Sequence, residues 1–213
     1  ETLRYTPLEI ESSPVRCPSA QASRAMEEEI AAARVAGDTL GGEVAVAIHG
    51  VAPALGSYRG GGMMARLSKA AFSVNDVVSV SFGSACDMMR RRGSAVYDSA
   101  VLGAHGFAHT TNMLGGIEGG LTTGASVVMR VGVAPSASLR APQKSIDLET
   151  LSDAESSSAA YSPCLVGGVA VAIEAEIAFA LASAYQERFG GVAMSDIHSS
   201  YDAYMRRLRL AAR

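Results

Sequence analysis

Apolar and polar positions along this chain change period several times, and each change marks an element. Between residues 19 and 36, Met26, Ile30 and Ala33 recur at helical spacing, with Ser19 where an N-cap belongs and Gly37 where a helix stops. The stretch "GGEVAVAIHGV" alternates and is rich in Val and Ile, which predicts a strand over 42–51. Next, "MMARLSKAAFSV" has helical propensity without a strong cap, and "DVVSVSFGS" over 76–84 alternates at Val78, Val80 and Phe82. A helix between two strands predicts a βαβ-type unit. A third strand is predicted over 126–135, fed by the glycine-rich stretch "TTNMLGGIEGGLTTG". The polar, serine-rich residues 140–162 predict a mobile loop around a short strand at Ser145 to Leu148. Residues 165–188 predict a buried helix, and 195–210 a last one capped by Ser195, with Ile197, Tyr201, Tyr204 and Leu208 on one face. Strands and helices mix, so the expected class is α+β, in a single domain over 1–213.

Composition narrows the function classes. With 48% hydrophobic and 18% charged residues, the chain is globular rather than disordered, and either well packed or oligomeric. A net charge of −3 gives no general attraction to nucleic acid or anionic membranes, although "MRRLRLAAR" at the C-terminal end is locally basic. Cys17, Cys86 and Cys164 are odd in number, widely spaced and without a CxxC pair, which predicts a reducing compartment and no metal site. The run "CLVGGVAVAIEAEIAFALASAY" has the length of a membrane span, but Glu174 and Glu176 in its middle predict a buried helix and no transmembrane segment. The first ten residues, "ETLRYTPLEI", lack the charged and apolar regions of a signal peptide.

Candidate chemistry is sparse. "GGIEGG" lacks the Lys-Ser/Thr ending of a phosphate loop and is followed by a strand rather than a helix, so its residues predict either a tight backbone crossing or a nest of N–H groups for an anion. His49, His105, His109 and His198 stand beside no triad-like motif, and no serine sits in a G-x-S-x-G elbow. Glu174 and Glu176, two apart on a helix, face different ways and cannot form a catalytic pair. No catalytic residue is assigned.

A resemblance adds what composition cannot. In order and spacing, "PVRCP" before a helix, "GDTLGGEVAVAIHGVAPALGS", "RRGSAVYD", "TNMLGGIEGGLTTG" leading into a strand that ends in proline, and "PCL" before an alanine-rich helix ending "ERFGG" resemble the chorismate synthase family over residues 14–193. The resemblance implies a β-α-β sandwich assembling as tetramers. The activity it implies is the reduced-FMN-dependent anti-1,4-elimination of phosphate from 5-enolpyruvylshikimate 3-phosphate, in the shikimate pathway. It places Asn112, Gly115, Gly116 and Ser138 at the family's flavin positions; a backbone without Cβ atoms can approach a flat ring closely.

Departures from the family pattern qualify that implication. The N-terminal segment carrying the family's two catalytic histidines and most of its substrate-gripping arginines is expected to be missing, so the sandwich is incomplete at its N-terminus. Ala134 replaces a lysine, Ala160-Tyr161-Ser162 an Arg-x-Asp stretch, Ser183 an aspartate, and Gly83-Ser84-Ala85-Cys86 the "GDGF" block. Two readings stay open. One is a pseudoenzyme, with vestigial flavin positions and no cofactor expected, kept as a structural or assembly subunit beside protein partners or further copies of itself. The other is a functional chorismate synthase that uses FMN and whose N-terminal segment is supplied elsewhere. The compartment follows only loosely: cytosol, plastid or mitochondrion.

Overall fold

The computed structural model describes residues 5–103 and 106–211. The elements, in chain order, are α1 (Pro7–Glu11), α2 (Ala20–Ala36), β1 (Gly42–Ile48), α3 (Met63–Phe72), β2 (Val77–Phe82), α4 (Ala85–Met88), β3 (Ala100–Gly103), β4 (Gly106–His109), β5 (Ile117–Glu118), β6 (Leu121–Thr122), β7 (Val127–Val133), β8 (Gln143–Asp147), β9 (Ser152–Ser156), α5 (Val166–Phe189) and α6 (Met194–Ala211). The class is α+β, as expected. One sheet runs β1-β7-β2, and the pairs β3-β4, β5-β6 and β8-β9 are two-stranded hairpins. The βαβ expectation is corrected in one respect: β1 and β2 flank α3 in sequence, but β7 lies between them in the sheet.

Two units are distinguishable: Glu1–Val44 with Asn75–Val78 and Gly132–Ala172, and Ala45–Val74 with Ser79–Val131 and Ile173–Arg213. In the first, α2 begins with Ser19 accepting from the Ala22 N–H and ends at Gly37 in the left-handed region, as its sequence predicts. The Gly37 carbonyl accepts from the N–H groups of both Arg140 and Ala141. Tyr161 donates from its hydroxyl to the carbonyl of Asp38 (2.6 Å) and stands 3.1 Å from that of Ala33, while Leu40 N–H donates to Pro163 O at 2.7 Å. Segments far apart in sequence are thus stitched onto the end of one helix by backbone polar groups that burial obliges to pair. The serine-rich stretch is more ordered than a loop around one short strand: β8 and β9 pair in full register from Gln143↔Ser156 to Asp147↔Ser152.

In the second unit, α3 buries Met63, Leu67, Ala70 and Ala71 on one face, and no side chain caps its Gly62 start. The alternating residues Val127, Met129, Val131 and Val133 of β7 are buried, as period-2 patterning requires. On β2 the alternation is weaker than its sequence predicts, since Phe82 is buried but Val78 is exposed. Thr122 closes the core: its hydroxyl donates to Ala52 O (2.6 Å) and accepts from Leu55 N–H (2.9 Å). Tyr185, Phe189, Tyr201 and Tyr204 cluster with ring centroids 5.5–6.4 Å apart, and Arg188 stacks 4.8 Å above the Tyr204 ring.

Two expectations about the last helices need correction. α5 is not buried within the chain: only Ile173, Ile177, Ala184 and Phe189 are covered, and Phe179 is 76% exposed. Its composition is apolar nearly all round, but among the described residues only one stripe meets other elements. By length and composition it could cross a membrane; Glu174 and Glu176 make that costly. Ser195 is not the cap of α6, which already starts at Met194; the N–H groups of Asp196 and Ile197 bond to Ala193 O instead.

The Thr122 hydroxyl serves two otherwise unpaired buried groups, so Thr122→Val, nearly isosteric, should cost about 2–4 kcal/mol in denaturant unfolding. Thr122→Ser, which keeps the hydroxyl, should cost only about 1 kcal/mol.

Candidate functional site

The glycine-rich stretch folds as two successive crossings. At the first, Gly115 and Gly116 pass over the end of β2 and the start of β7: Gly83 N–H donates to Val128 O (2.9 Å), Val128 N–H to Gly115 O (3.2 Å), and Ser84 N–H to Met113 O (2.8 Å). A Cβ on Gly115 would lie 2.4 Å from Gly83 N, and one on Gly116 2.6 Å from Ser126 O. At the second, Gly119 and Gly120, both at positive φ, form the two-residue turn between β5 and β6. The bare sides of Gly115 and Gly116 therefore face backbone.

The N–H groups just before the glycines are met by a carboxylate of the chain itself. Asp98, only 4% exposed, accepts from Met113 N–H (2.8 Å), from Leu114 N–H (2.9 Å) and from the Thr111 hydroxyl. Burial pushes its carboxyl up, but the Leu114 N–H, the Thr111 hydroxyl, the Met113 N–H and the nearby His109 together outweigh this and hold it below the usual carboxylate range. His109 also lies 3.6 Å from the Glu118 carboxylate, across β4 and β5.

The sequence-predicted flavin positions fall as follows. Asn112 donates its amide to Ser126 O (2.8 Å), and Ser126 Oγ is 2.8 Å from His49 Nδ1. Ser138 belongs to the other unit; it is exposed, and its N–H donates to Ser136 Oγ at 3.2 Å. At the positions that the sequence reading set apart from the family pattern, the hydrogen bonds run within the chain. Ala134 N–H donates to Asp76 O, Ser162 Oγ to Cys164 O, and Ser183 Oγ to Phe179 O one turn back in α5. His105 lies outside the described residues, and among those described no three His, Cys, Asp or Glu side chains group as metal ligands. Sequence reasoning missed Asp98; the signal was present as the last residue of "RRGSAVYD", but which N–H groups it meets depends on a contact 15 residues away.

Two tests follow from this geometry. Gly115→Ala adds a steric clash to a positive φ and should cost at least about 3 kcal/mol, whereas Gly119→Ala, with open space around it, should cost only about 1 kcal/mol by the same unfolding measurement. Asp98 has a depressed folded pKa, so its contribution is present above its unfolded pKa and is lost as pH falls through the folded one. Asp98→Asn should therefore cost about 2–4 kcal/mol at neutral pH, and its deficit against the parent should narrow as an acid titration passes through the carboxylate range.

Comparison with known proteins adds descent to geometry. The chorismate synthase family model matches residues 3–186. A chorismate synthase of Rubrobacter xylanophilus is 40% identical over 94% of this chain and 52% of its own length, and one of Desulforudis audaxviator is 39% identical over 94% and 52%. A solved structure titled as a crystal structure of chorismate synthase superposes with a TM-score of 0.80 at 26% identity, covering 95% of this chain and 54% of that one. The chain spans about half the length of the curated relatives it matches. With the family model matching most of its residues, the chain belongs to the chorismate synthase family.

Proposed function

We propose that this chain keeps the fold of its family without the family's elimination chemistry, and serves as a structural or assembly subunit. One observation carries the reading: the groups at the flavin positions are engaged inside the chain. A flavin phosphate needs N–H donors or cations, and its ring needs an open flat face. The Met113 and Leu114 N–H groups are held by Asp98, the Asn112 amide by Ser126 O, and Gly115 and Gly116 turn their bare sides onto backbone. On this reading Asn112, Gly115 and Gly116 are committed to the fold rather than to FMN. Ser138 offers a single exposed hydroxyl, and Ala134 carries no charge. Cys17, Cys86 and Cys164 are free thiols, which suits a reducing compartment in the cytosol or an organelle.

A second reading draws on the relatives named chorismate synthase at 40% and 39% identity. In it, the chain takes part in the reduced-FMN-dependent elimination of phosphate from 5-enolpyruvylshikimate 3-phosphate, with the cationic part of the site provided by other residues than these.

Anaerobic turnover of 5-enolpyruvylshikimate 3-phosphate with reduced FMN separates the two. The purified chain should release no phosphate, and calorimetric titration should show no FMN binding in the micromolar range. Clear phosphate release would establish the second reading, and micromolar FMN binding without turnover would leave a flavin site stripped of its chemistry.

A further inference from the structure

Two exposed surfaces of opposite net charge stand out among the described residues. The first is the turn after α4, where Arg90, Arg91 and Arg92 follow one another, all exposed, between the exposed side chains of Met89 and Tyr97. Among the described residues, none of these guanidinium groups forms a hydrogen bond or ion pair. The second is the β8-β9 hairpin, with Glu149 at its turn and Asp153 and Glu155 along β9; Lys144 stands opposite Glu155, and with Asp147 the hairpin stays net negative. Ile146 stands opposite Asp153, and the turn carries Leu148 at 86% and Leu151 at 80% exposure. A two-stranded hairpin with no third strand is marginal in water, and this one is nearly all exposed.

We propose that the acidic β8-β9 hairpin of one copy of this chain docks on the arginine turn of a second copy. Guanidinium forks take carboxylates in paired hydrogen bonds, while Leu148 and Leu151 supply apolar surface against Met89 and Tyr97. Exposed ion pairs alone hold little, so the apolar tip is what makes the contact more than a salt-dependent encounter. Both copies carry a net charge of −3, so the pairing depends on these local patches rather than on overall charge. This inference deepens the assembly reading by naming the partner, and it is tested without turnover, so the two can fail separately.

Sedimentation velocity on the full chain provides the test. The parent should self-associate at low ionic strength, at least tenfold more weakly once salt shortens the screening length to a few ångströms. R90E/R91E and E149K/D153K should each weaken association at least tenfold. Asp147 is left intact because its carboxylate holds the hairpin turn through the N–H groups of Glu149 and Thr150. An equimolar mixture of the two reversed variants should recover association, since the reversed turn of one then meets the reversed hairpin of the other. Circular dichroism checks their folding, and R90Q/R91Q with E149Q/D153Q, which weaken association without repulsion, replace any reversal that unfolds. A parent that stays monomeric at low salt, variants that associate like the parent, or a mixture that recovers nothing would overturn the proposal. In the first case the arginine turn would pass to some other anionic partner, and the assembly reading would stand without this contact.

Discussion

The second unit depends on a place where two backbones touch. Gly83 and Gly115 approach so closely that neither has room for a Cβ, and the crossing is locked by hydrogen bonds from Gly83 and Ser84 on one side and from Val128 on the other. Beside this contact the Met113 and Leu114 N–H groups are part-buried, and an unpaired buried donor costs as much as a lost hydrogen bond. Asp98 meets that need at Met113 and Leu114 and orders the segment before the crossing. The β5-β6 turn then brings Thr122 against residues 52–55, where its hydroxyl completes the core.

The same crossing holds this part of the fold together from within the chain. A glycine crossing with an internal carboxylate is stable whether or not a ligand lies beside it. Elsewhere side-chain hydroxyls are also met from within: Ser183 bonds back to its own helix, Ser162 to its own loop, and Tyr161 donates to the Asp38 carbonyl just past the end of α2.

What the chain leaves uncovered is also informative. α5 is apolar nearly all round but is buried on one stripe, and the β8-β9 hairpin stands with both strands exposed. Surfaces of this kind are ordinary where protein meets protein and unusual on a free monomer. The hairpin differs from α5 in its density of charge, and charge is what gives a contact its register and its choice of partner.

Residue periodicity by itself determined the helices at 20–36, 63–72 and 166–189 and the strands β1, β2 and β7, because spacing, Ser19 and Gly37 act within a few residues of where they stand. Collinear blocks determined the family. The sequence also showed that the glycine loop must be either a crossing or an anion nest. Only the tertiary structure decided that it is a crossing, with Asp98 holding the N–H groups just before it, since a carboxylate's partners are set by contacts across 13 to 16 residues that no local pattern encodes. It likewise decided that α5 is covered on one side, and that residues 143–156 pair as a hairpin in which Lys144 faces Glu155. Composition sets how apolar a surface is; whether another surface lies against it depends on the packing of the whole chain and its partners.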